Sequence, residues 1–309
     1  MRIVTQFSLG GPEVLRVAEA ERPTPEPTEV LVRVVAAGVN PADRKVRSGF
    51  VRLFGDPPFT LGHEFSGIVV ETGLEVSEFP EGADVYGWVT PPHGAYAEYV
   101  AVPATSIAGK PASLDHEHAA ALPIAGLTAW QAMVNIGQVR AGQRVLVHGA
   151  AGGVGHLAVQ IAKALDAYVI GTARATKHSF LRELGVDELI DHTAHDFADL
   201  RDLDVVLDTI SGEVGLRSVD TLKTGGALID VVGLGFDRTA TKRRAGDAGV
   251  RFTEFNLAPT AEDLTRLAEL ADRTGLRPAV EHILPLAEAA KAHELSENGG
   301  VRGKVVLVP

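Results

Sequence analysis

Cysteine is absent from the 309-residue chain, which excludes disulfide staples, thiolate nucleophiles and any zinc site built on thiolates. Positive charge is also short: 29 Lys and Arg against 40 Asp and Glu leave a net charge of −11 at pH 7. A broad cationic surface for nucleic acid or anionic lipid is therefore not expected, though a local basic pocket stays open. Residues 1–20 include Glu13, Arg16 and Glu19 and lack a long apolar core, so they do not read as a signal peptide. The longest uncharged apolar stretch, residues 145–162, is broken by glycines and reads as a turn with its helix, not as a membrane span. There is no internal repeat and no low-complexity segment. A cytoplasmic globular protein is expected, and 45% hydrophobic residues over this length suffice for about two domains.

What is present organises around residues 144–165. The apolar run Val145-Leu146-Val147 is a short buried strand, Gly149-Ala150-Ala151-Gly152-Gly153-Val154-Gly155 is a tight turn, and apolar residues then recur at helical spacing. In a parallel sheet this places a helix N-terminus, with unpaired N–H groups and positive dipole, where a pyrophosphate can approach bare backbone. The strict dinucleotide fingerprint has Gly where Ala150 stands, so a turn that binds nothing remains the alternative.

Residues 1–119 are β-rich, with runs at 29–37, 65–72, 84–89 and 96–102 punctuated by Gly and Pro. One short helix interrupts them: Asn40 is placed to cap it, Pro41 suits its first position and Gly49 its end. A distorted antiparallel barrel is expected there. After Arg144 strands are predicted at 145–148, 168–172, 188–191, 204–208, 227–232 and 251–255 with helices between, the pattern of a doubly wound parallel sheet. An amphipathic helix at 261–273 is expected to close it. The tail reads strand, helix (286–295), strand (305–308), too little to bury its own faces, so it should return to the N-terminal half. The division expected is 1–119 with 276–309 as one discontinuous domain, and 120–275 as the nucleotide domain.

With Gly38-Val39-Asn40-Pro41-Ala42-Asp43, Gly62-His63-Glu64-Phe65-Ser66-Gly67, Gly94-Ala95-Tyr96-Ala97-Glu98-Tyr99, residues 120–130, the Gly-rich turn and Arg302-Gly303-Lys304-Val305-Val306-Leu307 all in order, the chain resembles the medium-chain dehydrogenase/reductase superfamily. Within it the likeness is to the zinc-independent NADPH:quinone oxidoreductase and enone reductase branch. The resemblance covers nearly the whole chain. It implies a GroES-like barrel as catalytic domain, a Rossmann domain for the cofactor, an active site in the cleft between them, and a homodimer built on the edge strands of the nucleotide domains.

NAD-preferring sites place an acid near the end of the second strand to hold the ribose 2′-hydroxyl. Here that strand ends Gly171-Thr172-Ala173-Arg174-Ala175-Thr176-Lys177, without one. Arg174 and Lys177 are candidates for the 2′-phosphate of NADP(H), with hydrogen bonds from Thr172 and Ala173; two solvated helix-start cations are the alternative. His192 stands after the third strand, where the resembling family often has an aromatic hydroxyl. By the same likeness Arg302 and Lys304 lie near the cofactor or merely flank the last strand. Thr128 and the Gly-rich turn are expected to line the pyrophosphate and nicotinamide, with Gly233, Phe255, Asn256 and Leu257 near the carboxamide.

Reducing an unactivated carbonyl needs a metal or a Tyr/Lys acid pair. The zinc enzymes of the superfamily carry Cys where Asn40 stands and a second Cys near residues 124–126, and neither is here. His63 and Glu64 persist from that pattern, but with Asp43 they make a poor ligand set, and no metal is expected. The Tyr-x-x-x-Lys pair is missing too: Thr90, Val100, Pro103 and Thr172 follow the four tyrosines at that spacing. A quinone or α,β-unsaturated ketone avoids the problem, because its β-carbon accepts hydride while charge moves to the carbonyl oxygen. Asn40 is the candidate donor to that oxygen or to the nicotinamide ribose, beside its role as cap. Lys45 resembles the lysine of enone reductases, or is a surface lysine. Asp43 is placed to hold Lys45 or its own helix, and Phe50, Phe54 and Trp88 form a substrate wall or simply core. A reductase confined to one biosynthetic pathway and a non-catalytic NADPH-binding sensor are the alternatives.

Overall fold

The computed structural model describes residues 1–52 and 54–309. The chain divides into two units, Met1–Ile124 with Pro259–Pro309, and Ala125–Ala258. The first unit opens with β1 (Arg2–Gln6), β2 (Leu15–Glu19), β3 (Glu29–Val39), α1 (Pro41–Arg47), β4 (Phe59–Thr60), β5 (Glu64–Thr72), β6 (Asp84–Trp88), β7 (Tyr99–Pro103), β8 (Ile107–Gly109) and α2 (His116–Ala120). β3 is its central strand, antiparallel to both β5 and β7. Covered on both faces, it buries a nearly continuous apolar run in which only Arg33 is exposed. α1 runs between the expected punctuation marks: Asn40 precedes it, Pro41 is its first residue, and Gly49 follows it at φ +80°. β1 and β2, which short mixed runs did not announce, pair with each other, and β1 pairs with β4.

α3 (Pro123–Trp130) spans the division and continues as a π-helical turn, Gln131–Ile136, closed by Gly137 N–H donating to the Ala132 carbonyl. The second unit then alternates β9 (Arg144–Val147), α4 (Gly155–Ala164), β10 (Tyr168–Thr172), α5 (His178–Glu183), β11 (Glu188–Ile190), β12 (Leu203–Asp208), α6 (Glu213–Ser218), β13 (Leu222–Asp230), α7 (Thr239–Asp247) and β14 (Arg251–Glu254). All six strands pair parallel in the order β11-β10-β9-β12-β13-β14, which is doubly wound. β13 starts five residues before the expected 227, because Lys223 to Gly226 form an irregular lead-in with Gly225 at φ +80° and a shifted register opposite β12.

The chain returns to the first unit through α8 (Ala261–Thr274), β15 (Val280–Pro285), α9 (Ala289–Asn298) and β16 (Lys304–Val308). β15 lies parallel to β16, and β16 antiparallel to β3. α8 starts where expected and ends one residue later, but it groups with the first unit and not with the Rossmann sheet. The Tyr86 hydroxyl donates to the Leu264 carbonyl at 2.6 Å, and the Asp272 carboxylate accepts from Ala112 and Ser113 N–H. An amphipathic period shows that a helix buries one face without showing against what. Among the described residues no helix is long and apolar enough to cross a membrane.

Candidate functional site

In the first unit, α1 presents Asp43 to the start of β5. Asp43 is fully buried, and its carboxylate accepts three hydrogen bonds: from Asn40 N–H (2.8 Å), from the Tyr96 hydroxyl (3.1 Å) and from His63 Nδ1 (2.5 Å). Burial alone would raise its pKa, but the charge and hydrogen bond of His63 and the Asn40 N–H hold it below the ordinary carboxylate value. Burial pulls His63 down, yet the charge and hydrogen bond of Asp43, with the charge of Glu64, leave its pKa raised. Each partner thus holds the other toward its charged form.

Behind it the donors all point one way. Arg47 can only donate, so the contact of its Nη1 with His293 Nδ1 at 2.9 Å makes that nitrogen an acceptor. His293 Nε2 then carries the hydrogen and donates to the Tyr96 oxygen (3.1 Å), which donates onward to Asp43. The pKa of His293, lowered to about 4 chiefly by burial, agrees with a neutral ring. Asp43 therefore holds its own helix, one of the two roles expected of it, and also His63.

The second cluster adjoins the first. Lys304 Nζ donates to Val39 C=O (3.0 Å), Asn40 Oδ1 (2.5 Å) and Glu64 Oε1 (2.7 Å). Asn40 Nδ2 donates to Glu64 Oε1 (2.8 Å), and Ile124 N–H to Glu64 Oε2 (2.7 Å). Glu64 is admitted because β3 has Gly38 opposite: a Cβ there would stand 2.2 Å from Glu64 Oε1. One expectation changes: Lys304 has three N–H groups and all three are taken, so it has none for a nucleotide. Asn40 forms the expected capping box of α1 with Asp43, and its side-chain oxygen meets Lys304 as well.

A zinc ion does not fit this arrangement. Metal ligands need open lone pairs, whereas an ammonium already sits on Glu64 and Asn40, which leaves His63 Nε2 alone, and one nitrogen does not make a site. Among the described residues no group of three or more His, Asp or Glu could hold a metal ion.

In the second unit the Gly-rich turn connects β9 to α4. Gly155 starts the helix where a Cβ would lie 2.4 Å from Gly149 C=O and 2.8 Å from Ala150 Cα, so only glycine lets helix and turn approach this closely. Ala150, buried where the fingerprint has glycine, donates its N–H to Thr172 C=O (3.1 Å). The Thr172 hydroxyl accepts from Gly149 N–H (3.3 Å) and meets His148 Nδ1 (3.1 Å). Thr172 thus supports the turn and is buried, and Ala173 N–H is spent on Ile190 C=O. Neither offers the hydrogen bond to a 2′-phosphate that the sequence suggested.

Arg174 is exposed just after β10 and Lys177 half-buried at the end of the following turn. Asp191, past the end of β11, accepts from Ala175 N–H, so an acid invisible at the end of the second strand reaches this turn from the third. His192 beside it is exposed. At the ends of β12 and β13, Asp208 accepts from Ile210 and Ser211 N–H, Ser211 donates to Asp230, and Arg238 grips Asp230 and Gly233 C=O (2.7 Å). Phe255 is buried beyond β14, with Asn256 exposed and Leu257 half-buried.

Among the remaining candidates, Lys45 is half-buried on α1, Thr128 is buried on α3, and Arg302 pairs with Glu281 at 2.9 Å. Phe50 is 60% exposed, Trp88 is buried on β6, and Phe54 packs on Phe59 and edge-on to His63. Phe54 thereby adjoins the polar cluster. Sequence reasoning missed Tyr96, His293 and Arg47 in the network; a histidine and an arginine on otherwise amphipathic helices carry no signal of mutual burial.

Family models match the chain twice, an alcohol dehydrogenase GroES-like domain over residues 26–112 and a zinc-binding dehydrogenase over residues 184–307. The mitochondrial NAD(P)H oxidoreductase RTN4IP1 of Danio rerio is 32% identical over 323 residues, covering 91% of this chain and 84% of that protein. A quinone oxidoreductase from Coxiella burnetii superposes with a TM-score of 0.93 at 36% identity, over 100% of this chain and 99% of the other. An NAD-dependent alcohol dehydrogenase superposes at 0.94 with 32% identity, over the full length of both.

Proposed function

Since the chain belongs to the medium-chain dehydrogenase/reductase superfamily, in its quinone oxidoreductase branch, we propose that it is a metal-free, NADPH-dependent reductase of quinones or α,β-unsaturated ketones. That it is an oxidoreductase working with a nicotinamide cofactor follows from its relatives; substrate class and phosphate preference are the proposal. The observation that carries it is the Lys304 ammonium seated on Glu64 and Asn40, which takes the oxygens a Lewis acid would need. With the acceptor left unpolarised by metal, turnover requires a substrate whose own conjugation draws the hydride in.

The Gly149 to Gly155 turn fits a pyrophosphate by its close-packed backbone, and Arg174 with Lys177 suits a 2′-phosphate. When bound there, NADPH supplies the hydride. The protein's own part is to orient the acceptor, with Asn40 and Lys45 as donors at the carbonyl and Phe54 as apolar wall. A homodimer through an edge strand of the Rossmann sheet, β14 or β11, belongs to the same reading, and light scattering checks it. Incubation with NADPH and a panel of quinones and enones tests the activity. Nicotinamide oxidation above blank is expected with conjugated acceptors and not with saturated ketones; none with any acceptor would overturn the reading.

A further inference from the structure

His63 Nε2 is buried and has no hydrogen-bond partner among the described residues, although the other nitrogen of the same ring is tied to Asp43 at 2.5 Å. The groups nearest the ring are paired: Asp43 has three donors, Tyr96 and His293 have each other, and Lys304 has three acceptors. A ring nitrogen left unsatisfied while its fellow is tied to a buried carboxylate calls for an explanation, and a ligand supplies one. Its position agrees, for His63 directly precedes Glu64, which binds the Asn40 amide, and the Phe54 ring stands edge-on at 5.7 Å between centroids.

We infer that His63, held by Asp43, is the proton donor of the reaction, delivering its Nε2 hydrogen to the α-carbon of the reduced enone. The inference rests on the proposed function and adds the second half of its chemistry. Hydride bonds to the β-carbon, and the electron pair of the conjugated double bond shifts to form an enolate. The Nε2–H bond then breaks, its electrons stay on the imidazole, and the proton bonds to the α-carbon. The neutral ring keeps Nδ1–H on Asp43 and regains a proton from solvent. Asp43 is a positioning residue here: accepting three hydrogen bonds it remains ionised, and it fixes Nε2 as the nitrogen left for the substrate.

The charged and titratable groups around the ring and its network are Asp43 and Arg47 on α1, Glu64 on β5, Tyr96 ahead of β7, His293 and Glu297 on α9 and Lys304 on β16. With the carboxylates nearest, the imidazolium persists above the ordinary histidine range. In the wild-type enzyme kcat for an α-methyl enone should therefore be flat at low pH and fall as pH rises through that raised pKa, with a normal solvent isotope effect. Reduction in D2O should place deuterium on one face of the α-carbon. His63→Asn, which retains a donor for Asp43, should lose about 10²-fold in kcat, lose the basic limb of the profile and give both α-epimers, with NADPH affinity unchanged.

A readout without turnover uses the nucleotide-free protein labelled with 15N-histidine, in which His63 should titrate above ordinary histidine with a persistent Nδ1–H. Wild-type turnover without that basic limb or solvent isotope effect, a His63→Asn enzyme with both features intact, or a neutral His63 at pH 6 would overturn the assignment while leaving the reductase reading standing. A wild-type enzyme inert toward every acceptor would overturn both. The wild-type profile and the NMR titration hold even if the variant does not fold.

Discussion

At residue scale the buried triple of Lys304, Glu64 and Asn40 governs what single changes do. Lys304→Met preserves the aliphatic stem but leaves the Glu64 carboxylate buried with two neutral donors, so a loss of about 3–5 kcal/mol is expected in urea unfolding. Glu64→Gln combined with Lys304→Met should recover much of it, since the pair is then removed rather than broken. On the other unit, Arg174→Ala with Lys177→Ala should weaken NADPH binding by about 10- to 100-fold and NADH by far less; equal losses in titration calorimetry would refute the selectivity. How much of this was legible follows from distance along the chain. Asn40 and Asp43 stood out beside Pro41 because a cap is a local event. Lys304 reads as a nucleotide contact or a flank of the last strand because its true partners lie 240 and 264 residues away, beyond any local pattern.

At the scale of elements, the strand, turn and helix from β9 to α4 were legible because each signal there is local: an apolar run, glycines, then a helical period. Gly155→Ala tests that unit. The added Cβ would press on Gly149 C=O and Ala150, so about 1–3 kcal/mol of stability should be lost. The thermal shift that NADPH produces in wild type should shrink as well, as a displaced turn no longer offers its N–H groups. β13 was read short because a Gly-Gly pair signals a break, whereas the paired strand absorbs it as an irregularity. α8 was read to within one residue in extent and misassigned in allegiance, since its period does not name the surface it covers.

For the whole molecule, two buried neutral histidines set the response to acid. Burial, then the charge of His192, lowers His148 to about 3, and burial lowers His293 to about 4. As pH falls below about 6.5 the unfolded chain takes up these protons and the folded one does not, so stability declines with acidification until the folded pKa values are reached. His148 alone accounts for roughly 2–3 kcal/mol by pH 4.5. His63 has the opposite sign: its raised pKa stabilises fully below about 6.5, and that contribution is lost as pH rises through the folded value. A maximum near neutrality is expected in urea midpoints measured from pH 4.5 to 9, with His148→Gln flattening the acid side. The discontinuous first unit was legible as well, because a tail of strand, helix and strand has too few faces to stand alone.

That discontinuity has a consequence for biogenesis. A ribosome makes Glu64 and, 240 residues later, Lys304; at about 5–20 residues per second the interval is roughly 10–50 s. Until then the nascent N-terminal segment carries a carboxylate destined for the interior without its counter-charge, and the edge of β3 that β16 will cover stays open. The Rossmann unit is synthesised entirely within that wait. It can therefore fold first, while the half that bears the candidate proton donor is still awaiting its last strand.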